Sequence, residues 1–220
     1  MSKRILIWGS TVLVLVGFVA GLAYLAKQDA AKKPSDTGSP TRAADVTASD
    51  WTKGPADARV TLIEYSDLQC PACGFFYPIV KQVSTEYGDR VRFAYRHFPL
   101  RQIHKNAELA ARATEAAGKQ GKFWEMHDLL FEKQSSWAQE LAPTLLFMNY
   151  ATSIGLDGEK FLSDFVLPEV RANVESDYQS GLDAKVEGTP TFFLNGFRIS
   201  NPQSYDEFKS VIERALAPQS

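Results

Sequence analysis

Cysteine is scarce in this 220-residue chain, which has only Cys70 and Cys73. A secreted scaffold stapled by disulfides carries several, widely spaced. Two sulfurs three positions apart close too small a loop to hold distant parts of a fold together. Histidine is also sparse: His97, His104 and His127 stand in no paired spacing. With neither a second cysteine pair nor a paired histidine spacing, the chain lacks the pattern of a four-ligand zinc centre, and no metal site is expected. Nor is there an excess of basic residues. The 24 lysines and arginines face 26 aspartates and glutamates, for a net charge of −2, so nucleic acid is not an expected partner. No internal repeat is visible. What remains is a chain with 45% apolar residues, within the ordinary globular range.

One apolar run stands apart. Residues 5–26 follow Lys3 and Arg4 and contain only Ser10 and Thr11 as polar residues. About 20 apolar residues cross a bilayer, and the run has no polar stripe of the kind a core helix shows. It exceeds the roughly 7–15 residues of a signal-peptide core and lacks Ala-x-Ala at its end. An uncleaved transmembrane anchor is therefore expected; the alternative is a cleaved signal peptide, with Gly21-Leu22-Ala23 as a weak site. The charged tip, residues 1–4, favours an N-terminus in the cytoplasm, although Lys27, Lys32 and Lys33 lie beyond the run. Either reading exports the remainder. Residues 27–55 are rich in Ala, Lys, Asp, Ser, Thr, Gly and Pro and read as a flexible linker.

Residues 56–220 carry the pattern of one α/β domain. Residues 59–66, Arg-Val-Thr-Leu-Ile-Glu-Tyr-Ser, suit a buried strand. Residues 71–87 then turn helical, with Phe76, Val80, Val83 and Tyr87 at three- and four-residue steps and Gly88 as a stop. Residues 91–98 read as a second strand ended by Pro99. Residues 103–186 are mostly helical, with segments expected at 107–117, 123–131, 141–154, 159–165 and 169–184. Strand character returns at Thr191-Phe192-Phe193-Leu194. Asn195-Gly196 signals a hairpin with a return strand over 197–200, and residues 205–216 form an amphipathic closing helix. A sheet covered by helices, with a helical insertion, is expected.

Cys70-Pro71-Ala72-Cys73 falls where the first strand gives way to a helix. Proline is favoured at the first helical position, which puts Cys70 at the N-cap. There the free N–H groups and the positive helix end lower a thiol's pKa, and the thiolate is the attacking species in disulfide exchange. Cys73 lies one turn further in, within disulfide range. Cys70 is thus the expected exposed nucleophile and Cys73 the shielded resolving thiol. Glu64 shares a strand face with Leu62 and Ser66, and a carboxylate on a buried strand is costly without a partner or a task. A proline opens the later strand at Pro190, where a strand tolerates one. Pro78 bends the first helix. Phe123, Trp124 and Met126 read as core of the insertion, and His97 and His127 as structural.

Glu64-Tyr65-Ser66-Asp67-Leu68-Gln69-Cys70-Pro71-Ala72-Cys73, Tyr95-Arg96-His97-Phe98-Pro99-Leu100, Gly121-Lys122-Phe123-Trp124-Glu125-Met126-His127-Asp128 and Val186-Glu187-Gly188-Thr189-Pro190-Thr191-Phe192-Phe193 together resemble the DsbA-like thiol–disulfide oxidoreductases of bacterial cell envelopes. The resemblance implies a thioredoxin fold with a helical insertion. It implies that Pro190 is a cis proline facing the dithiol, that Thr189 offers its backbone to a substrate strand, and that Glu64 helps move the proton of the inner thiol. No metal or organic cofactor is implied. The expected partners are reduced exported proteins and a membrane oxidase of the DsbB or vitamin-K-epoxide-reductase-like kind. The expected location is extracytoplasmic, in the periplasm or cell envelope.

One departure is the dipeptide between the cysteines, Pro71-Ala72, where the best-known family member has Pro-His. Ala72 offers no charge or side-chain hydrogen bond to the Cys70 thiolate, which predicts a weaker oxidant. Two other activities fit the same residues: a reductase or isomerase kept reduced by a membrane donor, and a copper-delivery module on the same fold.

Overall fold

The computed structural model describes residues 42–218. The expected anchor at 5–26, the tip before it and the first part of the linker lie outside the described residues. Among those described, no helix is long and apolar enough to cross a membrane.

Five strands form one sheet in the order β1-β3-β2-β4-β5. They are β1 (Trp51–Lys53), β2 (Val60–Ser66), β3 (Val91–His97), β4 (Thr191–Leu194) and β5 (Phe197–Arg198). β2 and β3 run parallel, joined through α1 (Pro71–Glu86), and the other pairs are antiparallel. The insertion lies between β3 and β4. It comprises α2 (Ala107–Gly118), α3 (Phe123–Glu132), α4 (Gln134–Trp137), α5 (Thr144–Ser153), α6 (Gly158–Phe165) and α7 (Pro168–Asp183), and α8 (Tyr205–Leu216) closes the chain. This is the mixed α/β, thioredoxin-like architecture expected from the sequence.

Local chemistry sets the element ends. Asn195 and Gly196 both take positive φ, 50° and 82°, as a tight two-residue hairpin turn requires. Ser204 caps α8 by accepting from the Glu207 N–H at 3.2 Å, while Glu207 Oε2 accepts from the Gln203 N–H at 2.8 Å. The helix expected from residue 141 begins at Thr144 instead, after Pro143. The return strand expected over 197–200 is Phe197–Arg198; beyond it the chain turns so that Asn201 Nδ2 donates to the Pro190 carbonyl at 2.7 Å.

Strand alternation divides the core. Leu62 joins Phe76, Val83, Phe93, Phe192, Phe208 and Ile212 on the face covered by α1 and α8. Ile63 and Tyr65 join Ala94, Phe98, Val186 and Phe193 on the opposite face. A third cluster belongs to the insertion, built on Phe123, Met126, Leu130, Trp137 and Phe147, and it also contains Leu68, Cys70, Cys73 and Tyr95. The dithiol therefore sits where the insertion meets the tip of α1.

The linker expected over 27–55 needs a correction, because residues 42–55 are part of the domain. Arg42 bridges to Phe197 beside β5, Ala43 is buried, and β1 pairs with β3 at the other edge of the sheet. Residues 42–50 thus form a strap between the two sheet edges. Its composition is polar, but Arg96 takes up the polar atoms. Arg96 Nε and Nη2 donate to the two oxygens of Asp50 at 2.5 and 3.1 Å, Nη1 to the Ala44 carbonyl at 3.0 Å and to Tyr65 Oη at 2.8 Å, and Nη2 to the Asp45 carbonyl at 3.0 Å. All five guanidinium N–H groups are engaged. Burial pushes the Asp50 carboxyl up, but the Arg96 hydrogen bond helps hold it below its usual value.

Candidate active site

β2 ends at Ser66, and residues 67–70 carry the chain into α1. Cys70 is the N-cap with extended φ/ψ (−69°, 124°), and Pro71 occupies the first turn. The Cys70 N–H donates to the Asp67 carbonyl at 3.0 Å, and the Gly74 N–H to the Cys70 carbonyl at 3.1 Å. Both cysteines are free thiols. Cys70 is less open than the sequence suggested: 7% of it is accessible, against 0% of Cys73. Cys70 packs against the insertion cluster, while its neighbours Pro71 and Ala72 at the helix tip are exposed, so an attacking group approaches from their side.

The two sulfurs are driven apart in acidity. The Cys70 thiol falls from 9.0 to about 5, first through a hydrogen bond from the Cys73 thiol, against the opposing pull of burial, and then through the first-turn N–H groups of Cys73 and Ala72. The sequence pointed to the helix tip as the main cause; the neighbouring thiol contributes more. Burial pushes the Cys73 thiol up, helped by Cys70 and by the charge of Glu64, with only the Asp67 N–H, 3.5 Å from its sulfur, pulling the other way. At neutral pH Cys70 is the ionised sulfur and Cys73 the protonated one.

The Thr189–Pro190 peptide bond is cis. The Cys70 sulfur lies 3.5 Å from the Thr189 carbonyl, to which it donates only when protonated, so this loop stands directly beside the sulfur. Thr191 Oγ1 donates to the Gly188 carbonyl at 2.7 Å and Asn201 to that of Pro190, which pins the loop on both sides. The β2–β4 ladder ends at Tyr65 and Thr191, leaving Thr189 beyond it.

Glu64 is buried, opposite Tyr95 and Phe192 in the ladders. It lines a cavity of about 40 Å³ together with Lys53, Tyr77, Tyr95, His127 and Asp128. A water needs roughly 10–15 Å³ by this measure, so the cavity has room for a few. Burial lifts the Glu64 carboxyl from 4.5 to about 7, partly offset by Ser66. Between those two values the folded protein holds a proton that the unfolded chain has released, and above them the buried carboxylate weighs against the fold. Glu64→Gln is therefore expected to leave stability unchanged at pH 4 and to raise it by about 2–3 kcal/mol at pH 8. Urea denaturation at the two pH values checks this, and an equal effect at both would contradict it.

Several polar residues that sequence reasoning missed lock the cysteine loop to the insertion. Gln69 donates to the Ala138 carbonyl at 2.6 Å and accepts from the Asn106 N–H at 2.7 Å. Asn106 Nδ2 lies within hydrogen-bond reach of the carbonyls of Trp137, Ala138 and Glu140. Gln134 donates to the carbonyls of Leu68 and Cys70 at 2.8 and 3.0 Å. It comes so close that a Cβ on Gly74 would meet its Oε1 at 2.8 Å. His97 and His127 each have partners, His97 Nε2 with Thr114 Oγ1 at 3.2 Å and His127 Nδ1 with Asp128 at 2.9 Å. Phe123 and Met126 are buried in the insertion cluster, and Trp124 packs on its edge.

A family model described as thioredoxin matches residues 47–214. BdbD from Bacillus subtilis, in its oxidised crystal structure, is 29% identical with a TM-score of 0.69, covering 81% of this chain and 99% of that one. The α-DsbA1 protein of Wolbachia pipientis shares the fold at a TM-score of 0.67 and 20% identity, over 77% of this chain and 92% of its own. Among curated proteins, the Na⁺/H⁺ antiporter NhaA 3 of Salinispora tropica is 38% identical over 168 residues, which make up 76% of this chain and 25% of the antiporter. The chain spans about a quarter of the length of the curated relatives it matches.

Proposed function

The chain belongs to the thioredoxin family and is a thiol–disulfide oxidoreductase of DsbA-like build; from that premise we propose that it introduces disulfides into exported proteins through Cys70-Pro71-Ala72-Cys73. The observation that carries this reading is the Cys70 sulfur at the N-cap of α1, 3.5 Å from the Thr189 carbonyl. An ionised sulfur there is both a good attacking group and a good leaving group.

In the proposed cycle a substrate thiolate attacks Cys70 of the Cys70–Cys73 disulfide. The S–S bond breaks, a mixed disulfide forms, and Cys73 leaves as a thiolate. That anion is buried and has a high proton affinity, so it takes a proton, with Glu64 as the donor. A second substrate thiolate then attacks the substrate sulfur of the mixed disulfide and expels the Cys70 thiolate. The substrate has lost two electrons and the enzyme has gained them. Thr189, whose backbone lies beyond the ladder, is the edge to which an extended substrate strand adds, with Pro190 beside it. Reoxidation falls to a membrane oxidase of the DsbB or vitamin-K-epoxide-reductase-like kind. The domain works outside the cytoplasm, held by an anchor at residues 5–26 and a linker that ends by residue 41.

Ala72 contributes only its backbone N–H to the Cys70 thiolate. The expected potential therefore lies between those of the strongest oxidant of this fold and thioredoxin, roughly −120 and −270 mV. Equilibration with glutathione buffers, together with thiol trapping in cells, tests the direction of the reaction. A potential at or above about −120 mV would overturn the Ala72 argument. A dithiol found reduced in cells would favour reductase or isomerase work over oxidation.

A further inference from the structure

We propose that His104 is a positioning residue for the dithiol, holding the loop that joins β2 to α1 through the buried carboxylate of Asp67. The inference rests on Cys70 being the attacking sulfur and adds a residue 34 positions downstream to the machinery that sets its acidity.

Asp67 touches the environment of both sulfurs through its backbone. Its carbonyl accepts from the Cys70 N–H at 3.0 Å, and its N–H points at Cys73 Sγ at 3.5 Å. Three contacts fix its side chain, which is 0% accessible. Oδ1 accepts from the Gln69 N–H at 2.7 Å, and Oδ2 accepts from the Leu100 N–H at 2.8 Å and meets His104 Nδ1 at 2.7 Å. A carboxylate at that distance places the proton on Nδ1, making the imidazole a donor. His104 is itself held in place, its N–H donating to the Leu100 carbonyl at 2.9 Å and its carbonyl accepting from the Ala107 N–H at 3.1 Å. Two residues on, the Asn106 N–H grips Gln69. The segment after β3 thus holds the cysteine loop at two points, and the His104 contact is the one whose side chain reaches solvent, at 15% accessible.

Loss of one of three donors leaves a buried carboxylate lone pair unmatched, and the loop moves to compensate. Any such movement turns the Asp67 N–H from Cys73 and the first-turn N–H groups from Cys70, so the thiolate loses stabilisation. A truncated His104 should therefore change the chemistry of a sulfur it does not touch.

The test uses the full chain, reduced, and reads the Cys70 thiolate from the pH dependence of its alkylation by iodoacetamide, with melting temperature measured in parallel. His104→Ala is expected to raise the Cys70 pKa by about one unit, a tenfold loss in ionisation constant. His104→Asn keeps an N–H near the Nδ1 position and is expected to restore most of the loss. If His104→Ala does not fold, His104→Leu, close to the ring in volume but without its donor, replaces it in the comparison. An alkylation profile unchanged by the donor-less variant, with only the melting temperature lowered, would limit His104 to structure and overturn the inference. Equal shifts in the Asn and donor-less variants would overturn it too, by assigning the effect to ring packing. A wild-type Cys70 that reacts only in the alkaline range would sink the broader reading of the dithiol itself.

Discussion

Cys70→Ser reduces thiol–disulfide exchange to background, whereas Cys73→Ser accumulates long-lived mixed disulfides with substrate. The asymmetry follows from acidity and access. Cys70 has the depressed pKa and the residual exposure, so it alone presents a thiolate to an incoming partner. Cys73 is fully buried with a raised pKa; it is the sulfur that leaves when the Cys70–Cys73 disulfide opens and, in the reverse step, the one that attacks a mixed disulfide at Cys70 and frees the partner. A further distinction separates two substitutions at Cys73. The first cause of the low Cys70 pKa is a hydrogen bond from the Cys73 thiol. Serine keeps a donor there and alanine does not, so Cys73→Ser should trap substrates efficiently while Cys73→Ala reacts more slowly at pH 6. Non-reducing electrophoresis of the trapped species, with alkylation rates for both variants, checks this. Exchange surviving in Cys70→Ser, or normal turnover in Cys73→Ser, would end the assignment.

Arg96→Met is expected to cost about 3–5 kcal/mol of stability, because it leaves the Asp50 carboxylate buried without its cation. The two side chains are each 4% accessible, so water cannot take over. The substitution also strips donors from Tyr65 and from the carbonyls of Ala44 and Asp45. Adding Asp50→Asn to Arg96→Met should recover part of the loss, since a neutral amide is cheaper to bury than an unpaired charge. By contrast, Arg42→Ala breaks an exposed pair with Asp45 and an exposed contact over the Phe197 ring, and should change stability by about 1 kcal/mol or less. Denaturant midpoints of the three variants measure these effects. A loss for Arg96→Met no larger than that for Arg42→Ala would mean that the strap is not held by the guanidinium.

The parts legible in the sequence were those written in local code. Cys70 before Pro71, at the end of a β-branched run, announced an N-cap; Asn195-Gly196 announced a hairpin; the amphipathic pattern over 205–216 announced the closing helix. Alternation along β2 put Glu64 on one face but did not show how deeply the paired strands bury it. Contacts between segments far apart in the chain had no such code. Asp67 and His104 are 37 positions apart, as are Gln69 and Asn106. Nothing in either stretch marks the other as its partner. The strap was misread for the same reason. Its polar composition signals disorder unless a buried arginine elsewhere consumes its carbonyls, and Arg96 sits in what reads as an ordinary strand. The limited exposure of Cys70 likewise depends on how the insertion packs against it from a distant part of the chain.

The strap also decides where a pulling force enters the molecule. Arg42 joins the domain beside the β4–β5 hairpin, where the Ala43 N–H donates to the Gly196 carbonyl. Six residues of extended chain, roughly 20 Å, separate that hairpin from Pro190. Any leash preceding Arg42 is therefore clipped to the blunt end of the sheet. Tension on it would reach the hairpin and the Arg96 contacts before the cysteine loop.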